Sequence, residues 1–166
     1  MKRPKTHYEQ EFLLRLSHID RAGTNLAFSL GLLPPIFPLD SASFGGLDRK
    51  VLHDLDGLAE RYSRFQDLLG PAFRTLALIE QEPRSMDSFL SLLSLMEKRG
   101  IVPDLEQWAI ERELRNTASH GYLSEEEDWI EFYNLLVQQS PRVLDYRDRL
   151  FRYAEKVLEL RPPAPS

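Results

Sequence analysis

The apolar residues of this chain recur at intervals of three and four from near its start to near its end. That spacing suits one face of an α-helix and little else. Phe12, Leu16, Ile19, Gly23, Leu26 and Leu30 form one stripe. Leu55, Leu58, Tyr62, Phe65 and Leu69 form a second, and Ala72, Phe73, Leu76 and Ile79 continue it beyond Gly70-Pro71, a pair expected to break or kink the helix. A half-buried strand needs apolar and polar residues to alternate, and no window does so convincingly. The pattern predicts an all-α, up-and-down bundle of five to six helices.

Local signals divide the stripes. Gly31, Pro34, Pro35 and Pro38 end the first helix, and residues 31–47 read as a long loop with a turn at Gly45-Gly46. A third helix is expected from about Met86 to Arg99, closed by Gly100. Asp104 reads as the N-cap of a fourth, with Gln107 as its capping-box partner. Ser124 and Glu127 suggest a second box, and the acidic run 125–128 suits the first turn of a fifth helix. Ser140-Pro141 reads as a cap followed by proline at the first helical position, so a sixth helix is expected from there to about Leu160. Residues 1–160 are expected to form a single domain, and the proline-rich tail 161–166 to be disordered.

Composition narrows the chemistry. There is no cysteine, which excludes thiolate catalysis, disulfides and cysteine-held metals. His7, His18, His53 and His120 are scattered, with no pair at ligand spacing, so no metal site is expected. No Gly-rich phosphate loop is present, and no cofactor is expected. The net charge of −5 argues against a broad nucleic-acid surface, so any such site must be a local positive patch. No apolar run approaches the roughly 20 residues that span a bilayer. Met1 to Gln10 is polar and unlike a signal peptide, and the expected location is the cytoplasm.

One local positive cluster exists. Arg112, Arg115, Asn116, Ser119, His120 and Tyr122 fall at the end of the fourth expected helix, where Gly121 is a stop signal. Residues five apart on a helix diverge by roughly 140°, but at a helix end the His120 ring is expected to swing back toward Arg115. Ile110, Leu114, Thr117 and Ala118 are expected on one apolar strip, with Trp108, Arg112, Arg115 and Ser119 on another side. A guanidinium and an imidazole suit phosphodiester chemistry, one holding the phosphate and the other moving protons. The plainer reading leaves the two arginines solvated or pairs them with acids of neighbouring helices. The second helix carries Asp56, Glu60, Arg61, Arg64 and Asp67, which read as a solvated charged face.

The run Arg115-Asn116-Thr117-Ala118-Ser119-His120-Gly121-Tyr122, an R-N-x-x-x-H-x-Y pattern, resembles the signature of the HEPN superfamily, and more closely that of HepT-type toxin ribonucleases. The order of helices around it is similar too. The resemblance implies a metal-independent endoribonuclease that works as a homodimer, with two motifs facing each other across a groove. Arg115, His120 and Asn116 would be catalytic, and Arg112 and Ser119 would bind RNA. It also implies neutralisation by an MntA-like nucleotidyltransferase antitoxin that adenylylates Tyr122. Two rivals remain open: a non-catalytic HEPN partner that binds a nucleotidyltransferase, and a structural bundle in which the motif is coincidence.

Overall fold

The computed structural model describes residues 3–83 and 87–165. Six helices follow one another: α1 (His7–Gly31), α2 (Ser41–Gly45), α3 (Arg49–Ile79), α4 (Phe89–Lys98), α5 (Leu105–His120) and α6 (Glu126–Lys156). They pack as a bundle, with no strand among the described residues. Among those residues no helix is long and apolar enough to cross a membrane.

The stripes become the core. Phe12, Leu16, Ile19 and Leu26 of α1 are fully buried against α3, whose Leu55, Leu58, Tyr62, Phe65 and Leu69 are equally buried. Gly23 permits the closest part of that contact, since a Cβ there would stand 3.2 Å from the Phe65 ring. α6 crosses α1 and α3, and α5 packs on α3 and α6. Thr6 and Glu9 cap α1 reciprocally, with the Thr6 amide donating to Glu9 at 2.8 Å and the Glu9 amide to Thr6 at 3.2 Å. That capping box escaped the sequence reading.

Several boundaries differ from expectation. Pro71 does not break α3, which stays helical through Leu69, Ala72 and Phe73 because these side chains are wholly buried. Ser140-Pro141 does not start a helix either, and the expected fifth and sixth helices are one, α6. The buried Ser140 hydroxyl donates back to the Leu136 carbonyl at 2.6 Å instead of capping. In both places tertiary burial outweighs the single helical hydrogen bond a proline removes. α6 ends at Lys156, short of Leu160, which turns back to donate to the Ala154 carbonyl at 2.8 Å. Residues 161–165 carry no regular secondary structure.

The 31–47 segment is more ordered than a plain loop. Asp40 and Ser43 cap the short α2, and Asn134 of α6 pairs with both backbone groups of Leu39, at 2.6 and 3.0 Å. Phe44 then rests on Tyr133, beside Trp129 and Phe132. Met86, the expected start of the third helix, lies outside the described residues; Ser88 caps the helix that follows. Gly100 adopts a φ of +73°, the left-handed turn that glycine tolerates at a helix end. Asp104 caps α5 by accepting from the Glu106 amide, so the box with Gln107 does not form. Glu125, not Ser124, precedes α6, and no side chain caps that helix.

Candidate functional site

α5 carries the candidate residues on three sides. Its inner side is Trp108, Glu111 and Leu114, all buried. Trp108 packs against Phe73 and Tyr146 with ring centroids 5.5 and 5.6 Å away. It therefore belongs to the core, not to the side of the arginines. Ile110, expected beside Leu114, is instead exposed. The reason is where the neighbours lie: α3 and α6 close over the Trp108–Leu114 face and leave Ile110 outside. Glu111 is a carboxylic acid in that core. Tyr146 donates to its Oε2 at 2.7 Å, and Gln107 to its Oε1 at 3.0 Å. Burial pushes the Glu111 carboxyl up, against the pull of those hydrogen bonds.

The second side faces α3. Arg115 donates to Asp67 through Nε and Nη2, both at 2.7 Å, a bidentate pair. Arg112 donates from Nη1 to the same carboxylate at 3.0 Å and to Gln66 Oε1 at 2.6 Å. The pairing of the arginines with a neighbouring acid is thus what the structure holds. Burial pushes the Asp67 carboxyl up, but the two arginines outweigh it and hold it below the ordinary carboxylate range. The Arg115 guanidinium is raised in turn by the hydrogen bonds it donates to Asp67. Two guanidinium groups share one carboxylate, so the three side chains together carry one positive charge in excess. Arg115 Nη1 has no partner among the described residues, so a donor remains for another acceptor.

The third side is the helix end. His120 is the last helical residue and is exposed, and Tyr122 is 101% exposed. Neither makes a hydrogen bond, ion pair or ring contact among the described residues. The expected swing of His120 toward Arg115 does not occur, because Asp67 already occupies the guanidinium edge. Gly121 ends the helix in an extended conformation, not the left-handed one a glycine stop usually takes. A Cβ there would lie 2.6 Å from the Thr117 carbonyl oxygen, so a close approach requires the glycine. Ser119 donates to Ser63 of α3 at 3.3 Å.

Two hollows flank Asp67, which lines both. The larger, about 880 Å³, lies toward Arg112, Asn116 and Phe89. The smaller, about 500 Å³, lies toward Ser63, Ala118, Ser119 and Gly121. Arg115, His120 and Tyr122 line neither. The chain therefore brings Arg112 and Arg115 together, places Asn116 and Ser119 in different hollows, and leaves His120 and Tyr122 at the exposed tip.

Sequence reasoning saw Asp67 only as one member of a charged face and passed over Gln66. Glu60 and Arg64, which the HEPN resemblance would bring toward the motif, line the smaller hollow but pair with each other. Glu111 was readable in principle, because an acid within the buried period of α5 signals an internal polar contact. Among the described residues no three His, Asp or Glu side chains gather as a cation site would require. No protein-family model, no curated protein and no solved structure matches this chain.

Proposed function

We propose that this chain is a metal-independent endoribonuclease of the HEPN type, the HepT-like toxin of a toxin–antitoxin pair, acting in the cytoplasm as a homodimer. The observation that supports it is the tip of α5. An unpaired, exposed imidazole and, just past the helix end, a fully exposed phenol follow a guanidinium pair with donors to spare on the same helix. In such a site the RNA 2′-OH attacks the adjacent phosphorus and the 5′-oxygen leaves, giving a 2′,3′-cyclic phosphate. His120 takes the 2′-OH proton or delivers one to the leaving oxygen. Arg115 and Arg112 stabilise the charge on the phosphoryl oxygens, with Asn116 and Ser119 as further polar contacts.

A second copy of the chain supplies what one copy lacks. Within a chain His120 does not reach Arg115, and juxtaposing two helix tips concentrates positive charge on an acidic protein. Tyr122 is the acceptor for AMP from an MntA-like nucleotidyltransferase, whose product would set a phosphate against the arginines.

The alternative is a non-catalytic HEPN partner of a nucleotidyltransferase. Asp67 favours it, since it neutralises the arginine fork that a substrate phosphate needs. Cleavage of RNA by the purified chain in EDTA, lost in His120→Ala, supports the nuclease. A folded dimer that leaves RNA intact supports the alternative. Sedimentation that finds an active monomer contradicts the shared groove.

A further inference from the structure

The larger hollow beside Asp67 is not explained by phosphodiester chemistry. It lies between α5, α3, α1 and α4, and its volume of about 880 Å³ is that of a small-molecule site. Its lining charges balance: Arg15, Arg74 and Arg112 against Glu11, Asp67 and Glu113. A phosphate gains little there, whereas a neutral, hydrogen-bonding ring is suited to it. Gln66 lines the hollow, is 1% exposed, and leaves its amide nitrogen with no hydrogen-bond partner. The amide cannot be turned around to cure this, because Arg112 donates to its oxygen at 2.6 Å. One residue on, the Asp67 carbonyl faces a complementary deficit. Its helical donor would be the amide of residue 71, which is proline. The residue with an unclaimed donor and the residue whose carbonyl lacks its helical donor are thus neighbours in sequence, and both line the hollow. Phe89, 40% exposed, offers a ring face at the rim, 6.1 Å from Trp108.

We propose that this hollow is a base-reading subsite: it takes an unpaired nucleobase of the RNA strand whose phosphate lies on Arg112 and Arg115. The base stacks on Phe89 while its edge pairs with the Gln66 amide and the Asp67 carbonyl. Adjacent donor and acceptor atoms are what base edges present, and ring stacking is tolerant of which base arrives. Arg112 and Asp67 border both places, so base and phosphate are held by contiguous groups. The inference rests on the RNA reading above, but its test does not require cleavage.

The probes are dye-labelled, 2′-O-methylated tetranucleotides of each of the four bases, titrated against the full-length chain by fluorescence anisotropy. The wild type is expected to prefer one base over the weakest by about tenfold, and Phe89→Ala to weaken all four by about tenfold. Pro71→Ala returns an amide donor to the Asp67 carbonyl and favours the helix, so it tests base reading without risk to folding. It is expected to erase most of the preference while leaving overall affinity within about twofold. Gln66→Met is expected to do the same. Equal preferences and affinities in wild type, Phe89→Ala and Pro71→Ala overturn the subsite, as does a wild type that binds none of the probes. Free nucleoside monophosphates that bind as tightly as the tetranucleotides overturn the RNA strand as the source of the base. Base-specific binding without any cleavage leaves the subsite standing and removes the nuclease reading. Cleavage at unchanged positions in Phe89→Ala and Pro71→Ala does the reverse.

Discussion

Arg115 grips Asp67 through two hydrogen bonds of 2.7 Å, Nε to Oδ1 and Nη2 to Oδ2. A carboxylate held in this way occupies the guanidinium edge that would otherwise receive a phosphate. Any anion approaching Arg115 competes with a group already in place, or uses the remaining Nη1.

Asp67→Asn tests that competition. It keeps the side chain's shape and removes its charge. Affinity for uncleavable RNA is expected to rise severalfold at low salt. The slope of log affinity against log salt is expected to steepen by about one phosphate contact, roughly 0.7 for single strands. Stability should fall by no more than about 1 kcal/mol, because Asp67 is 41% exposed and such pairs contribute little. Filter binding across a salt series checks the first two, and denaturant melts the third. Weaker binding would instead make Asp67 a positioning residue for Arg115.

His120→Ala and Arg115→Ala separate chemistry from folding. His120 is exposed and makes no hydrogen bond, ion pair or ring contact among the described residues, so its loss is expected to change stability by less than about 0.5 kcal/mol. Cleavage of a reporter RNA should drop by about 10²–10⁴-fold, the usual contribution of a positioned acid–base group. Arg115→Ala should lose about 10²–10³-fold through the phosphoryl oxygens. A DNA copy of the reporter should resist the wild type, since it lacks the 2′-OH.

Tyr122→Phe removes an oxygen from a ring that is 101% exposed, so stability should not change measurably. The variant is expected to keep most of its cleavage yet gain no mass when co-expressed with a nucleotidyltransferase that modifies the wild type. Intact-mass spectrometry reads this directly. Equal modification of the Phe variant would place the acceptor elsewhere.

Gly121→Ala puts a Cβ 2.6 Å from the Thr117 carbonyl oxygen. The end of α5 must shift to admit it, at a cost of about 1–3 kcal/mol. Because His120 and Tyr122 flank this residue, cleavage should fall while the core signals in a near-ultraviolet spectrum persist. Unchanged stability and activity would show that the close approach is not required.

Glu111 makes stability depend on pH. Burial raises its folded pKa above the unfolded value of about 4.3. Between those two values the folded chain keeps a proton that the unfolded chain has lost. This contribution is therefore full below about pH 4.3, and declines as pH rises to the folded value. Glu111→Gln keeps a carbonyl for Gln107 and a group for the Tyr146 hydroxyl, and should flatten that decline. Asp67 has the opposite sign: its folded pKa is lowered, so its contribution is present above about pH 3.9 and lost as pH falls. Denaturant melts from pH 4 to 8 check the Glu111 slope. An identical slope in Glu111→Gln would assign it to other groups.

The chain's own pattern determined the helices and which stripes are buried. Phe12, Leu16, Ile19 and Leu26 lie fully buried where their spacing puts them, because a helix must bury its apolar face whatever it packs against. Breaker signals were less informative. Pro71 and Pro141 each cost one hydrogen bond, and only the surrounding packing settles whether a helix survives that loss. The residues of the candidate cluster were legible as a set, since they are consecutive turns of one helix. Their partners were not. Asp67 lies 48 positions from Arg115, and nothing in its local sequence separates it from Asp56 or Glu60 on the same charged face. The crossing of α5 over α3 selects Asp67, turns Trp108 inward and Ile110 outward, and leaves His120 and Tyr122 at the exposed tip. Periodicity is a property of one helix, whereas the pairing of charges and the shape of a hollow belong to two.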